Sequence, residues 1–285
     1  MPENKNMSKT RELLEKLKKG ISQVKSSEEF QTFLRAMSMF HQYSFHNCML
    51  IAMQRPDATK VAGYRTWEKL GRHVKKGERG IAIFAPCKLR RKEPDEETEP
   101  DWILFFKTVH VFDVSQTEGE PLPKLTVNEI ENTHESLLPA LLKLCEQRGI
   151  EVSFEQLANY EGVSQMGRII INKDKNPTEQ AITLIHEIAH EMIHCTSEKR
   201  HQLTLEQKEL EAEAVAWVIS NFVGLPEINS EKYLALYQKT YNLMESLGVI
   251  YMTAQEILQA ISPGDSETPA EQSKEGEFSS VSDNL

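Results

Sequence analysis

The residues best suited to chemistry form one short string, His186-Glu187-Ile188-Ala189-His190. On a helix, residues four apart share one face about a turn apart. Both imidazoles can therefore reach a single zinc ion at about 2.0–2.1 Å. Glu187 lies about 100° around the axis from His186. From there it can act as general base toward a water without ligating the metal. Ile182, Leu184, Ile185, Ile188, Ala189 and Ile193 give the helix an apolar body to bury. A catalytic zinc takes three protein ligands and keeps one position open, so a third ligand is needed. The run Glu209-Leu210-Glu211-Ala212-Glu213 offers it. Glu209 and Glu213 share a helical face. One can bind the metal while the other accepts a hydrogen bond from the far N–H of a ligand histidine. Glu211 falls about 160–200° off that face and reads as solvated. His194 stacks one turn beyond His190, yet it lies about 12 Å from His186 along the axis at the usual rise per residue. Three histidines on one straight helix cannot share an ion, so His194 reads as a rim or supporting group. His201, in a polar stretch, reads as surface.

A second set of residues suits polyanions. Cations and aromatics interleave between residues 60 and 92, where Tyr64, Arg65, Trp67, Arg72, Lys75, Lys76 and Arg79 are the candidate nucleic-acid contacts. Single strands are held by cationic grooves and by aromatic faces, at about 1–3 kcal/mol per stacked base. Gly63, Gly71, Gly77 and Gly80 would let the backbone approach phosphates closely. The competing reading is a solvated basic surface with Trp67 and Phe84 in the core. Charge distribution favours a polyanion partner for the front half alone. Residues 1–92 carry 20 Lys/Arg against 8 Asp/Glu, and the remainder carries 13 against 35, which the net charge of −10 conceals.

Apolar spacing predicts helices at 7–19, 27–40 and 45–54, then a short strand near 61–64. Two strand-like runs, IAIFAPCKL and WILFFKTVHVFDV, flank an acidic insert at 93–101 and read as a hairpin. Residues 115–125 read as an interdomain linker. Beyond it come a helix at 126–148 and strands at 150–154 and 167–172. A long helix opens at Asn176-Pro177 and runs through 195. Further helices are expected at 204–223, 230–247 and 252–261, before a disordered acidic tail. No apolar run approaches membrane-spanning length, and the charged N-terminus lacks the core of a secretion signal. The four cysteines form no CxxC pair, which fits reduced thiols and a cytoplasmic protein. The expected fold class is α+β. A small α+β domain that binds single-stranded DNA occupies 1–118, a mainly helical zincin-like domain with a small sheet occupies 119–263, and the tail occupies 264–285.

Two family resemblances attach to these residues. The His-Glu-Ile-Ala-His string followed by Glu209-Leu-Glu-Ala-Glu213 resembles the ImmA/IrrE-type metallopeptidases, a gluzincin-like group. That resemblance implies Glu209 as the third zinc ligand and Glu213 as its supporting neighbour, although many relatives carry Asn or Asp at the last position. Residues 43–113, from YSFHNCMLIAMQRPDATKVAGYRTWEKLGRHVKKGERGIAIFAPC to FFKTVHVFDVSQT, resemble the single-stranded-DNA-binding N-terminal domain of ArdC-type antirestriction proteins. This implies mobile-element biology and protection of incoming single-stranded DNA.

The expectation is a zinc metalloendopeptidase fused to a single-stranded-DNA-binding domain, with Zn2+ as cofactor and a protein or peptide as substrate. The alternative is a protein that coats and protects single-stranded DNA, its metal site structural or vestigial. A third reading is a regulatory peptidase that cleaves a repressor, with the basic domain only locating it on DNA.

Overall fold

The computed structural model describes residues 3–24, 26–90, 102–122, 137–196, 200, 202–225 and 242–262. The acidic insert, the start of the helix expected at 126–148, most of that expected at 230–247, His201 and the tail lie outside these residues.

The chain opens with three helices, α1 (Glu3–Ser22), α2 (Ser27–Met39) and α3 (Phe45–Gln54). A capping box between Ser26 and Glu29 starts α2, satisfying backbone donors that the first turn leaves free. Strands β1 (Val61–Gly63), β3 (Ile81–Arg90) and β4 (Trp102–Asp113) form an antiparallel sheet in the order β1-β4-β3. The expected hairpin is present as β3 paired with β4, from Ile81 opposite Val111 to Arg90 opposite Trp102. Its inner face carries Ile81, Ile83 and Val111 into the core, where α3 packs. Between β1 and β3 lie the short helix α4 (Tyr64–Lys69) and strand β2 (Arg72–Val74).

The linker expected at 115–125 is in part folded structure. Strand β5 (Thr117–Gly119) pairs antiparallel with β2. Asp113 fixes the turn that leads into it, accepting from Ser115 and from the backbone of Thr59 and Lys60. Gln116 is buried and bonds Glu78 and the Arg79 carbonyl. A polar composition predicts a linker here, but its polar groups are spent on local hydrogen bonds.

The second half holds α5 (Leu137–Gln147) and a sheet in the order β6-β8-β7, from β6 (Glu151–Glu155), β7 (Gly162–Ser164) and β8 (Arg168–Asn172). β6 runs parallel to β8, and β7 antiparallel. The β7–β8 turn is a two-residue one. Met166 and Gly167 both take positive φ, 51° and 98°, the conformation that matches strand twist in tight hairpins. Helix α6 (Pro177–Ala189) follows, started by an Asn176–Glu179 capping box and Pro177. It continues as a wider π-type turn over His190–His194. The last two helices are α7 (Leu205–Val223) and α8 (Leu243–Ile261). α8 is unbroken where two helices, ending at 247 and starting at 252, were expected; Leu247, Ile250, Ala254 and Ile257 form one buried stripe across that join.

One apolar interior runs through both halves. α2 packs on α7, and α1 and α3 on α8. Ser38 bonds Asn221, and the Tyr251 hydroxyl bonds the Tyr43 carbonyl. The α+β class holds, and among the described residues no helix is long and apolar enough to cross a membrane.

Candidate metal centre

α6 and α7 pack directly against each other, bringing His186, His190 and Glu209 together. The two Nε2 atoms are 3.0 Å apart. A Glu209 oxygen lies 3.4 Å from Nε2 of His186, and the other lies 3.5 Å from Nε2 of His190. Four-coordinate tetrahedral zinc, with bonds of about 2.0–2.1 Å, sets its ligands roughly 3.3 Å apart. The triangle fits such an ion. Among the described residues these three form the one group of His, Cys, Asp and Glu able to hold a metal.

Glu213 sits one turn along α7, with its carboxylate 3.2 Å from His186 Nδ1. That contact leaves His186 Nε2 to face Glu209. Burial opposes charge on His186, but hydrogen bonds to Glu209 and Glu213 outweigh it and push the ring up to about 9. Glu209 is held well below the ordinary carboxylate range, first by a hydrogen bond from His186 and then by the His190 ring beside it. A metal ion arriving here displaces a proton.

Glu187 is buried beside this triangle. Burial raises its carboxyl above the ordinary range, against the pull of His186 and His190, a direction suited to a group that must both take and release a proton. The wall behind it is β7, absent from the sequence reading because three residues, Gly-Val-Ser, give no periodic signal. A Cβ at Gly162 would meet Thr183 Cγ2 at 2.6 Å and Glu187 Oε1 at 3.1 Å, so β7 lies against α6 through the absence of a side chain. Gly162→Ala should therefore cost about 1–3 kcal/mol by overpacking, measured by urea unfolding. A loss under about 0.5 kcal/mol would show that β7 yields freely. Glu191 pins the other end of the hairpin, accepting from Ser164 Oγ at 2.6 Å and Gly167 N–H at 2.7 Å.

Glu211 is not solvated as the sequence suggested. It points away from the candidate metal ligands, but α7 is buried on that side too, and Glu211 is 0% exposed. Arg200 Nη2 donates to both carboxylate oxygens at 2.8 Å, and Ser246 Oγ to one of them at 2.8 Å. His194 Nε2 is 3.1 Å from the other. His194 Nδ1 lies 3.0 Å from Nδ1 of His190. His194 touches a candidate ligand, His190, and lies outside the group of three. The sequence signal for this cluster was the run Ala212, Ala214, Val215, Ala216, Val218: a helix apolar on nearly all sides is a buried helix.

The candidate nucleic-acid residues divide. Trp67 is 2% exposed and its indole N–H donates to the Phe112 carbonyl at 2.9 Å, so its ring is core and offers no face for stacking. Arg72 is also occupied: Nε donates to Thr117 Oγ1 at 2.8 Å and Nη2 to the Thr117 carbonyl, fastening β2 to β5. Arg65, Lys76 and Arg79 are exposed, as is Lys75, whose Nζ reaches the Ser115 carbonyl. Tyr64 is 49% exposed, its ring edge-on to Phe112. The sequence reading missed Phe106, 51% exposed on β4. Its place in a run of consecutive apolar residues, WILFF, hid which side it faces.

Comparison with known proteins gives two family matches. Residues 5–112 match the N-terminal domain of anti-restriction factor ArdC, and residues 145–259 match the IrrE N-terminal-like domain. A curated relative, the uncharacterized protein pXO2-81 of Bacillus anthracis, is 25% identical over 94% of this chain and 54% of its own length; the chain spans about half of that relative. Among solved structures, the metal-free antirestriction protein ArdC from plasmid R388 is 20% identical, with a TM-score of 0.47 over 76% of this chain and 82% of that one. Its Mn(II)-bound form is 18% identical, with a TM-score of 0.44 over 77% and 89%.

Proposed function

The chain is an ArdC-type protein, an ArdC N-terminal domain followed by an IrrE-like domain, and on that premise we propose that it is an antirestriction protein in which a zinc-dependent peptidase is joined to a module that binds single-stranded DNA. The observation that carries the peptidase reading is the His186–His190–Glu209 triangle with Glu187 buried at its side. A structural zinc normally takes four protein ligands and has no use for a general base. This group has three among the described residues, and its side chains are partly open to solvent.

Bound there, zinc would supply Lewis-acid chemistry, acidifying water and polarising a carbonyl. His186, His190 and Glu209 would hold it, and Glu213 would orient His186 through Nδ1. Glu187 takes the proton from the attacking water and delivers it to the departing amine. Among the described residues β7 stands at the edge of its sheet, paired with β8 alone. An extended peptide can add along such an edge through main-chain hydrogen bonds, which would set its carbonyls near Glu187. The substrate is a protein or peptide, and the site of action is the cytoplasm.

For DNA, Arg65, Lys75, Lys76 and Arg79 provide exposed cations, and Tyr64 and Phe106 provide exposed rings for stacking. Changing Lys75, Lys76 and Arg79 together to Ala should flatten the log–log salt dependence of oligonucleotide binding by about 2, at roughly 0.7 per lost phosphate contact to a single strand. An unchanged slope would move the DNA site elsewhere. The peptidase reading is tested by incubating zinc-loaded and chelator-stripped protein with a mixed library of unstructured peptides, read by mass spectrometry. Cleavage confined to the loaded protein supports it; no cleavage in either favours the DNA-coating alternative.

A further inference from the structure

The buried cluster behind the triangle has a direction. Arg200 can only donate hydrogen bonds, and it sits 2.8 Å from both Glu211 oxygens with Ser246 Oγ at 2.8 Å from one. Glu211 thus accepts from these donors, and the ring nitrogen 3.1 Å from it, His194 Nε2, carries a hydrogen. His194 is buried and shares its carboxylate with the Arg200 guanidinium, and both disfavour a second positive charge there, so His194 stands in the cluster as a neutral ring. A neutral imidazole protonated at Nε2 has its lone pair on Nδ1. That atom is 3.0 Å from Nδ1 of His190, so the hydrogen between them belongs to His190. With Nδ1 protonated, the lone pair of His190 is on Nε2, the atom that faces His186 and Glu209.

We propose that Glu211 and His194 are positioning residues, a two-step relay that fixes the tautomer of His190 so that Nε2 is presented to a metal ion. The proposal rests on the metal-centre reading above. The two ligand histidines are then served differently: His186 meets its carboxylate, Glu213, directly, whereas His190 meets Glu211 through an intervening imidazole. The polar network that fixes the ligand also ties together α6, α7, α8 and the Arg200 segment. Outer groups of this kind typically change metal affinity by 10–100-fold when removed.

The test is zinc affinity, measured by competition with a chromophoric chelator, for wild type, His194→Phe and His194→Gln, with folding checked by circular dichroism. Phenylalanine fills the space but cannot accept from His190. Its zinc affinity should fall by about 10–100-fold. Glutamine can donate to Glu211 through its amide N–H and accept from His190 through its oxygen, and should restore most of the loss. A folded His194→Phe protein that binds zinc like wild type overturns the relay and leaves the metal centre standing. A wild-type chain that takes up no zinc overturns the metal centre, and the relay with it. Should His194→Phe fail to fold, nitrogen-15 imidazole spectra of the metal-free wild type decide. They should show His190 protonated at Nδ1 and His194 at Nε2; the opposite pair of tautomers overturns the proposal.

Discussion

Glu187→Gln should lower peptide hydrolysis by about 10²–10⁴-fold, the usual contribution of a positioned acid–base group, while leaving metal content unchanged. Glutamine keeps the shape and the place against Gly162 but cannot take a proton from water. Glu187 is not one of the three grouped ligand residues, so the metal should stay. The measurement is turnover of whichever library peptide wild type cleaves, beside elemental analysis of both proteins. Oligonucleotide binding should not change, because the exposed cations of the front half do not touch Glu187. A variant that keeps full turnover would end the enzymatic account. A variant that loses turnover together with its metal would make Glu187 a ligand instead of a base.

Arg200→Met should destabilise the fold by about 3–5 kcal/mol, the cost of leaving one member of a buried ion pair unmatched. Glu211 is completely buried, and Arg200 supplies two of its hydrogen bonds. Changing both partners, Arg200→Met with Glu211→Leu, should recover much of the loss, since the orphaned charge goes with its partner. Urea unfolding of the two single variants and the double variant measures the coupling. A single-variant loss below about 1 kcal/mol would return Glu211 to the category of weak surface pairs.

What the sequence disclosed was what periodicity can carry. The four-residue spacing of His186 and His190, and of Glu209 and Glu213, puts each pair on one face, and the structure brings those faces together. It also allowed β3 and β4 to be paired across the acidic insert. What it hid were facts about the opposite sides of elements. Glu211 lies far round α7 from Glu209, and a carboxylate on the far side of a helix ordinarily faces water. On a helix carrying Ala212, Ala214, Val215 and Val218, that side is interior. Trp67 looked like a stacking surface because it stands among lysines and arginines, yet a large ring beside a sheet with a free carbonyl at Phe112 is worth more buried. The Arg72 charge invited a phosphate, but β5, formed by residues read as linker, claims it first. β7 could not be read, since its three residues are placed by the tight Met166-Gly167 turn and by the missing side chain at Gly162.

The central claim is a three-ligand metal centre built by α6 and α7, and metal content of the purified protein tests it most directly. Wild type, Glu209→Ala and Glu213→Ala are compared by elemental analysis after zinc is supplied and excess removed. The account predicts about one zinc per chain in wild type, near-complete loss with Glu209→Ala, and a weaker site that still fills at high zinc with Glu213→Ala. Wild type without stoichiometric metal, or a Glu209→Ala protein that keeps its zinc, would contradict it.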